Sequence, residues 1–172
     1  MAGELRGRRI EAPPGGSTRP TTDKVREATF NALGSLGLVV DARVADLFAG
    51  SGALGIEALS RGAHHCTFVE RDRTAVAVLR GNLAELGVDD RSTVVPGDAN
   101  AHAGSLDVDI VFADPPYETD EAFWAGFLDR VRAPFVVAEA ARPVTAPPGW
   151  EVVREKRYGR TWVTFLERPD PV

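Results

Sequence analysis

Apolar positions along the chain follow two different spacings. From residue 43 onward, short runs of mostly apolar residues are separated by longer segments in which apolar residues recur every three or four positions. Short apolar runs are typical of buried strands, and the longer spacing is typical of amphipathic helices. The predicted strands cover 44–48, 66–70, 93–96, 110–113 and 135–139, and the predicted helices cover 21–36, 53–61, 73–86 and 122–132.

This order of elements predicts an α/β fold. Strands that alternate with helices form a parallel sheet through right-handed crossovers, which place helices on both faces. Two further strands, 150–158 and 161–166, flank Gly159-Arg160, and so short a turn predicts an antiparallel hairpin at the end of the chain. We therefore expect a mostly parallel seven-stranded sheet of Rossmann type with a C-terminal antiparallel hairpin. Its ligands should bind at the carboxyl ends of the strands.

Length and composition narrow the kind of protein. The chain has 172 residues, of which 44% are hydrophobic, enough for one domain with a sizeable core. Residues 1–20 are rich in Arg, Gly and Pro and predict a basic arm or loose hairpin outside the core, with the catalytic domain at 21–172. One cysteine and no metal-like spacing of the three histidines predict neither disulfide nor metal site. The charged start and the lack of a long apolar run predict neither signal peptide nor membrane helix, hence a cytoplasmic protein.

The net charge of −5 argues against a general polyanion binder. The charge is nevertheless uneven, because basic residues concentrate near the N-terminus and at 154–160. Either cluster alone is best interpreted as ordinary solvated surface. The two together can be interpreted as local phosphate contacts on either side of a binding site. The N-terminal candidates for contact with a nucleic acid are Arg6, Arg8, Arg9 and Arg19, although the first three can equally form an unstructured basic tail.

The segment Asp114-Pro115-Pro116-Tyr117, at the end of the fourth predicted strand, is the most informative in the chain. Two prolines fix the backbone and remove two N–H donors, so the segment presents carbonyl oxygens and a carboxylate beside an aromatic ring. Such a surface fits a planar amine that needs hydrogen-bond acceptors and a stacking partner, as an exocyclic nucleobase amine does. We expect Asp114 and the Pro115 carbonyl to accept the amine hydrogens and Tyr117 to stack on the base.

A glycine loop follows the first strand. Gly-Ser-Gly-Ala-Leu-Gly at 50–55 precedes a helix, and Glu70 lies 20 residues beyond Gly50, which matches a dinucleotide fingerprint. Asp46 at the exit of the strand would repel a pyrophosphate, whereas it suits a cationic cofactor without phosphate. S-adenosylmethionine fits that description. Gly50 and Gly52 are expected to let the backbone approach it closely, because a Cβ would collide with the cofactor.

Two further carboxylates are candidates for the nucleoside part of the cofactor. Glu70, at the end of the second strand, can accept both ribose hydroxyls. Asp98, after the third strand, can accept the adenine amine, or it can cap its own turn, and the sequence favours neither. Glu139, at the end of a strand near the site, can be structural or can contact the substrate, and the structural interpretation is favoured.

Asp-Leu-Phe-Ala-Gly-Ser-Gly-Ala-Leu-Gly at 46–55 resembles the first motif of Rossmann-like methyltransferases, and with Asp-Pro-Pro-Tyr it resembles those that methylate nitrogen. Together with Arg-Pro-Thr-Thr-Asp-Lys-Val-Arg-Glu-Ala-Thr-Phe-Asn at 19–31, these motifs resemble the bacterial 16S ribosomal RNA guanine-N2 methyltransferases that modify guanine 966. The likeness spans roughly residues 17–167. It implies S-adenosylmethionine as cofactor, with Phe48 and Ala99 in its site. It also implies 16S RNA in the 30S subunit or a late assembly intermediate as partner, and no membrane or metal. Asp114, Pro115, Pro116 and Tyr117 would be the catalytic segment.

Other functions remain open. One is methylation of DNA adenine or of a protein glutamine, although the chain has no room for the recognition domain that DNA enzymes usually need. A second is an NAD-dependent oxidoreductase that uses the glycine loop, for which no substrate domain or catalytic His can be placed. A third is a cofactor-binding protein without catalysis, disfavoured by the intact Asp-Pro-Pro-Tyr.

Overall fold

The computed structural model describes residues 1–14 and 20–170, which form one seven-stranded sheet in the order β3-β2-β1-β4-β5-β7-β6. The first five strands run parallel, and β7 pairs antiparallel with both β5 and β6. The strands are β1 (Arg43–Leu47), β2 (His65–Glu70), β3 (Ser92–Pro96), β4 (Ile110–Ala113), β5 (Phe135–Ala140), β6 (Glu151–Tyr158) and β7 (Thr161–Glu167). The helices are α1 (Pro20–Ser35), α2 (Ala53–Ser60), α3 (Arg73–Glu85), α4 (Ala99–His102) and α5 (Glu121–Arg130).

The predicted sheet is confirmed, including its mostly parallel pairing and its C-terminal antiparallel hairpin. Every predicted strand and helix is present, and the boundaries differ by no more than two residues. Helix α4 was not predicted, because four residues are too few for an apolar repeat to show. Helices cover both faces of the sheet, as the alternating order of elements requires.

Two apolar layers lie on opposite faces of the sheet. One joins α1, α2 and α3 to the strands and contains the fully buried rings of Phe30, Phe68 and Phe112. The other joins α4 and α5 to the strands around Phe127 and Trp124. Because the side chains of a strand alternate between faces, each central strand contributes to both layers. The sheet is thereby held rigidly, and the loops at the carboxyl ends of its strands have fixed starting points.

The N-terminal segment packs against the domain. Leu5 is buried in the core, and its N–H donates to Ser60 Oγ of α2 at 2.9 Å. Farther along, Glu11 N–H donates to Asn82 Oδ1 of α3 at 2.9 Å, and Asn82 Nδ2 returns a bond to the Glu11 carbonyl at 3.0 Å. Residues 1–14 contain no strand, so they differ from the loose arm or hairpin outside the core that was expected. The difference arises because one leucine among charged residues leaves no periodic apolar pattern to detect.

No helix within the described ranges is both long and apolar enough to cross a membrane.

Candidate active site

Two cavities open side by side at the carboxyl ends of the parallel strands. The first, the β2–β3 cavity, has a volume of about 590 Å³ and lies over the ends of β2 and β3. The second, the β4–β5 cavity, has a volume of about 800 Å³ and lies over the ends of β4 and β5. Pro116 and Tyr117 line both cavities. The Asp-Pro-Pro-Tyr segment therefore lies at the boundary between them.

The β2–β3 cavity is acidic and partly apolar. Its lining includes the carboxylates of Glu70, Asp72 and Asp98 and one cationic side chain, Arg71. Phe48, Val69 and Ala99 also line it, together with Pro13 and Pro14 of the N-terminal segment. Three carboxylates would repel a pyrophosphate and attract a cation, and they can accept hydrogen bonds from hydroxyl and amine groups. The donor and acceptor chemistry of this cavity thus fits S-adenosylmethionine better than a dinucleotide.

Glu70 is held in place by the backbone of two loops. Its Oε1 accepts the N–H of Gly50 at 2.9 Å, and its Oε2 accepts the N–H of Asp72 at 2.8 Å. A carboxylate oxygen has more than one lone pair, so each can still accept from a ligand hydroxyl. The hydrogen bond between Gly50 and Glu70 therefore joins the glycine loop to the end of β2.

Asp98 caps its own turn and also lines the β2–β3 cavity. Its Oδ1 accepts the N–H of Asn100 at 2.9 Å as the N-cap of α4. Ala99, the first residue of α4, is buried and lines the same cavity. The cap fixes the position of the Asp98 carboxylate on the cavity wall.

Phe48 adopts a conformation that is unusual for its residue type. Its φ is +62°, in the left-handed region, and a bulky side chain there indicates backbone strain. The ring lies edge-on to Tyr117, with 6.1 Å between the centroids, and 6.3 Å from Phe127. Strained residues concentrate at functional sites, and this one directs the ring into the lining of the β2–β3 cavity.

Two glycines of the loop have a packing role that the sequence did not predict. A Cβ on Gly52 would lie 2.4 Å from Leu79 Cδ1, and one on Gly55 would lie 2.3 Å from the ring of Phe68. These two glycines therefore allow α2 to pack closely on the core. A Cβ on Gly50 meets no atom within 4 Å, and its φ of +57° is needed for the turn. Neither Gly50 nor Gly52 lines the β2–β3 cavity.

Asp46 is buried below the loop and lines neither cavity. Its Oδ2 accepts the N–H of Gly55 in the first turn of α2 at 2.9 Å, which satisfies an otherwise unpaired helix donor. Burial, with the nearby charges of Asp114 and Glu70, raises the pKa of Asp46 to about 8, although the bond from Gly55 lowers it. The carboxyl therefore supports the site from beneath.

Asp114 and Glu139 face each other in the β4–β5 cavity. They follow Ala113 and Ala138, which are paired in register on the adjacent parallel strands β4 and β5. The Asp114 side chain is exposed at the cavity mouth. The surrounding protein nevertheless desolvates its carboxyl group and raises the pKa of Asp114 to about 6. A hydrogen bond with Glu139 acts in the opposite direction and lowers this pKa. Burial and the negative charge of Asp114 raise the pKa of Glu139 well above its usual range. Two negative charges this close together are unfavourable, so the pair is protonated more readily than two separate carboxyl groups would be.

Tyr117 projects an aromatic surface towards both cavities, with 48% of its area exposed. Its ring packs edge-on against Phe48 and Phe123, with centroids 6.1 Å and 5.9 Å away. The hydroxyl accepts a long hydrogen bond from Asn100 Nδ2, at 3.4 Å. The ring is thus supported from behind while it remains accessible, as a stacking surface requires.

Some residues of the β4–β5 cavity come from segments that the sequence connected with the site only in part. Thr22 and Val25 of α1 line this cavity, as do Tyr158, Arg160 and the Glu139 side chain. Glu139 carried a signal because it ends a strand beside the one that Asp114 follows, and Arg160 carried one as part of the basic cluster at 154–160. Of the N-terminal arginines, Arg8 donates to the Glu85 carbonyl at 3.1 Å, and Arg6 and Arg9 are exposed. None of these three lines either cavity, and Arg19 lies outside the described residues.

Within residues 1–14 and 20–170, no group of three His, Cys, Asp or Glu side chains could hold a metal ion.

The strand order and the position of the cavities define a class I S-adenosylmethionine-dependent methyltransferase. The chain belongs to the family described as "Conserved hypothetical protein 95", whose model matches residues 1–167. "Ribosomal RNA small subunit methyltransferase D" of Escherichia coli K12 is 37% identical, over 98% of this chain and 88% of that protein. "Putative rRNA methyltransferase YlbH" of Bacillus subtilis is 38% identical, over 98% and 97%. The solved structure of "Putative methyltransferase yhhF from Escherichia coli" superposes with a TM-score of 0.85 at 35% identity, covering 99% of this chain and 97% of that one.

These similarities confirm the family that the sequence motifs indicated, along with the predicted fold and the methyltransferase class. S-adenosylmethionine is the cofactor of this class.

Proposed function

We propose that the protein transfers a methyl group from S-adenosylmethionine to the exocyclic N2 amine of a guanine in small-subunit ribosomal RNA, at the position equivalent to guanine 966. The observation that carries the proposal is the location of residues 114–117 between the β2–β3 and β4–β5 cavities. A methyl donor in the first cavity and an amine in the second would meet at this segment. The names of two relatives, at 37% and 38% identity, support ribosomal RNA as the substrate.

The cofactor would lie in the β2–β3 cavity. Glu70, Asp98, Phe48, Val69 and Ala99 line this cavity. Glu70 would accept the ribose hydroxyls and Asp98 the adenine amine, while Phe48, Val69 and Ala99 would enclose the ring. When bound, S-adenosylmethionine supplies an activated methyl group on a sulfonium. The carboxylates of the cavity and Asp114 beside it favour a cationic ligand over a phosphorylated one.

Asp114 and the Pro115 carbonyl are the proposed hydrogen-bond acceptors for the amine. The nitrogen of an exocyclic amine is a poor nucleophile because its lone pair is delocalised into the ring. Acceptors that hold its two hydrogens out of the ring plane make the lone pair available, and they bind more strongly as positive charge develops on nitrogen. Orientation of the amine against the methyl donor supplies a further part of the acceleration.

Asp114 also takes the proton that the amine releases after transfer. Its pKa of about 6 leaves it ionised at neutral pH and able to accept a proton. Its surroundings raise the pKa of Glu139 well above the usual range, and the protonated Glu139 carboxyl would donate to Asp114 and orient that carboxylate. Glu139 is thus proposed as a positioning residue.

The target guanine must leave any helical stack to reach the site. Tyr117 offers the exposed ring on which it would stack, at the mouth of a cavity of about 800 Å³. A loop base or a flipped base meets this requirement, whereas an amine inside a duplex does not. We propose the assembled small subunit or a late assembly intermediate as partner, in the cytoplasm, where such subunits form.

The test is tritiated methyl transfer to three substrates: small subunits that lack the modification, naked 16S RNA, and DNA. Digestion of the labelled RNA to nucleosides should give N2-methylguanosine, and sequencing should place it at one position. The matched control is Asp114→Asn, which preserves size and cofactor cavity but removes the proton acceptor. Label in DNA adenine, or in a ribosomal protein glutamine, would reject guanine N2 as the target.

The acidic lining of the β2–β3 cavity argues against the oxidoreductase alternative. Glu70, Asp72 and Asp98 would surround the pyrophosphate of a nicotinamide dinucleotide. Calorimetry separates the two functions, since S-adenosylhomocysteine should bind and NADH should give no heat.

A further inference from the structure

A third cavity adjoins the β4–β5 cavity along the surface. It is a groove of about 490 Å³ between α1 and the edge strand β6. Tyr158 lines both the groove and the β4–β5 cavity, so the two are adjacent at this residue. A chain that enters the β4–β5 cavity with one base can therefore extend along the groove with its neighbouring residues.

The groove is positively charged on a protein that is negatively charged. Among the residues that the structure describes, the charged ones that line it are Arg154 and Lys156, both from β6, in a chain of net charge −5. The side of the groove formed by α1 carries Ala28, Asn31, Ala32, Ser35 and Leu36, none of them charged. Low-dielectric walls with one sign of charge concentrate the electrostatic potential in a cleft.

The geometry of β6 separates its charges between the two faces of the sheet. Lys156 pairs with Val163 and Arg154 with Phe165, both on the face covered by α1. Glu155 and Arg157 alternate with them and therefore point to the opposite face. An irregularity between Val152 and Arg154 shifts the register there, which lets Val153 and Arg154 both line the groove. The only acid near the middle of the strand is thus directed away from the groove.

Two more contacts prepare the groove for an extended polar ligand. Lys156 Nζ lies 5.5 Å from the centre of the Tyr158 ring, a cation–π contact that holds both side chains at the passage between the cavities. Asn31 Oδ1 accepts from Arg61 Nη1 at 2.9 Å, which leaves the Asn31 amide N–H groups as donors on the other wall.

Resting on the proposed function, we propose that this groove binds the phosphodiester backbone of the substrate RNA next to the target guanine, with Arg154 and Lys156 contacting phosphates and Arg160 at the entrance of the β4–β5 cavity. Arg154 lies four residues from Tyr158, about 13 Å along an extended strand. The groove therefore contacts nucleotides a few positions from the base that is methylated. Local contacts of this kind explain how an acidic protein can bind RNA.

The experiment compares wild type with R154Q/K156Q, and with Arg157→Gln as a matched control on the same strand but the opposite face. Equilibrium binding of small-subunit RNA and of whole subunits is measured with S-adenosylhomocysteine present, from about 50 to 200 mM salt, where phosphate contacts show the strongest dependence. Steady-state methylation of subunits is measured in parallel. Unfolding midpoints and S-adenosylhomocysteine affinity verify that each variant is folded with an intact cofactor cavity.

We expect R154Q/K156Q to weaken RNA binding about tenfold or more and to reduce the slope of log affinity against log salt by about 1–2, the loss of two phosphate contacts. KM should rise with little change in kcat, and Arg157→Gln should stay within about twofold of wild type.

An unchanged affinity and salt slope in the double variant would overturn the proposal. Weaker binding of subunits with unchanged binding of naked RNA would also overturn it, since the groove would then hold a ribosomal protein. Failure of wild type to methylate any RNA would instead reject the proposed function, and the binding measurements would still decide the role of the groove.

Discussion

The two cavities that meet at Tyr117 are built in different ways. The β2–β3 cavity takes its carboxylates from the end of β2 and from the turns that follow β2 and β3. Those of Glu70 and Asp98 are held by backbone N–H groups at 2.8–2.9 Å. The β4–β5 cavity takes its walls from α1, the end of β5 and the β6–β7 turn, which are far apart in the chain. The local bonds of the first cavity suit the proposed small cofactor of fixed shape. The second has the larger volume and adjoins the basic groove, as the proposed RNA substrate requires.

The largest effect should come from the segment that the cavities share. Asp114→Ala should lower kcat by about 10²–10⁴-fold, because it removes both an acceptor for the amine and the group that takes its proton. Affinity for S-adenosylhomocysteine should change little, since Asp114 lines only the β4–β5 cavity. Single-turnover methylation and calorimetry measure the two quantities. A variant that kept full activity would contradict the mechanism.

A smaller effect is expected from the ring at the boundary. Tyr117→Ala should raise KM for the RNA substrate by about 5- to 150-fold, which corresponds to about 1–3 kcal/mol of stacking. Tyr117→Phe is the control and should stay close to wild type, because the hydroxyl makes only one long contact, at 3.4 Å. Equal losses in both variants would show that the hydroxyl matters and that stacking does not.

The sequence predicted the β2–β3 side of the molecule well and the β4–β5 side only in part. Glu70, Asp98 and Ala99 follow strands within local strand–turn–helix units, so their places could be predicted from short motifs. Tyr158 and Arg160 reach the site only because β7 folds back antiparallel beside β5, a pairing between distant segments that no local pattern encodes. The packing role of Gly52 was not predicted, since the Leu79 side chain that a Cβ there would meet lies on a helix 27 residues farther along the chain.

Asp46 shows a further limit of motifs. Because Asp46 precedes the glycine loop, the sequence predicted that its carboxylate contacts the cofactor. In the structure, the side chain lies under the loop and accepts the N–H of Gly55. Sequence position fixes which turn a residue occupies, whereas its side-chain direction depends on which backbone donors remain unpaired there.

The pH dependence of activity should distinguish the two carboxyl groups of the β4–β5 cavity. Wild-type activity should fall as pH drops through about 6, where Asp114 takes up a proton. Glu139→Ala removes the hydrogen bond that lowers the pKa of Asp114, so the acidic limb should move roughly one pH unit higher. Glu139→Gln keeps a donor at that position and should leave the limb near that of wild type. Identical profiles for Ala and Gln would show that Glu139 acts only through packing.

The smallest effect concerns stability. Because the pKa of Asp46 in the folded state is about 8, the folded protein binds this proton more tightly than the unfolded chain does. The stabilisation that this proton provides is complete below the ordinary pKa near 4 and is lost as pH rises to about 8.

Asp46→Asn keeps an acceptor for Gly55 N–H and cannot ionise, so its unfolding midpoint should fall less between pH 5.5 and 8 than that of wild type. Each 1 kcal/mol corresponds to about 2–4 °C for a chain of this size. Parallel declines in the two proteins would contradict the raised pKa.

A crystal structure with S-adenosylhomocysteine and a guanine nucleotide would test the central claim most directly. The account predicts the sulfur at the Tyr117 end of the β2–β3 cavity and the guanine N2 within hydrogen-bonding distance, about 2.9 Å, of the Asp114 carboxylate and the Pro115 carbonyl. A methyl group on that sulfur would then lie roughly 3–3.5 Å from N2. A sulfur that points towards Pro13 and Pro14, or a guanine whose amine faces away from residues 114–117, would contradict the account.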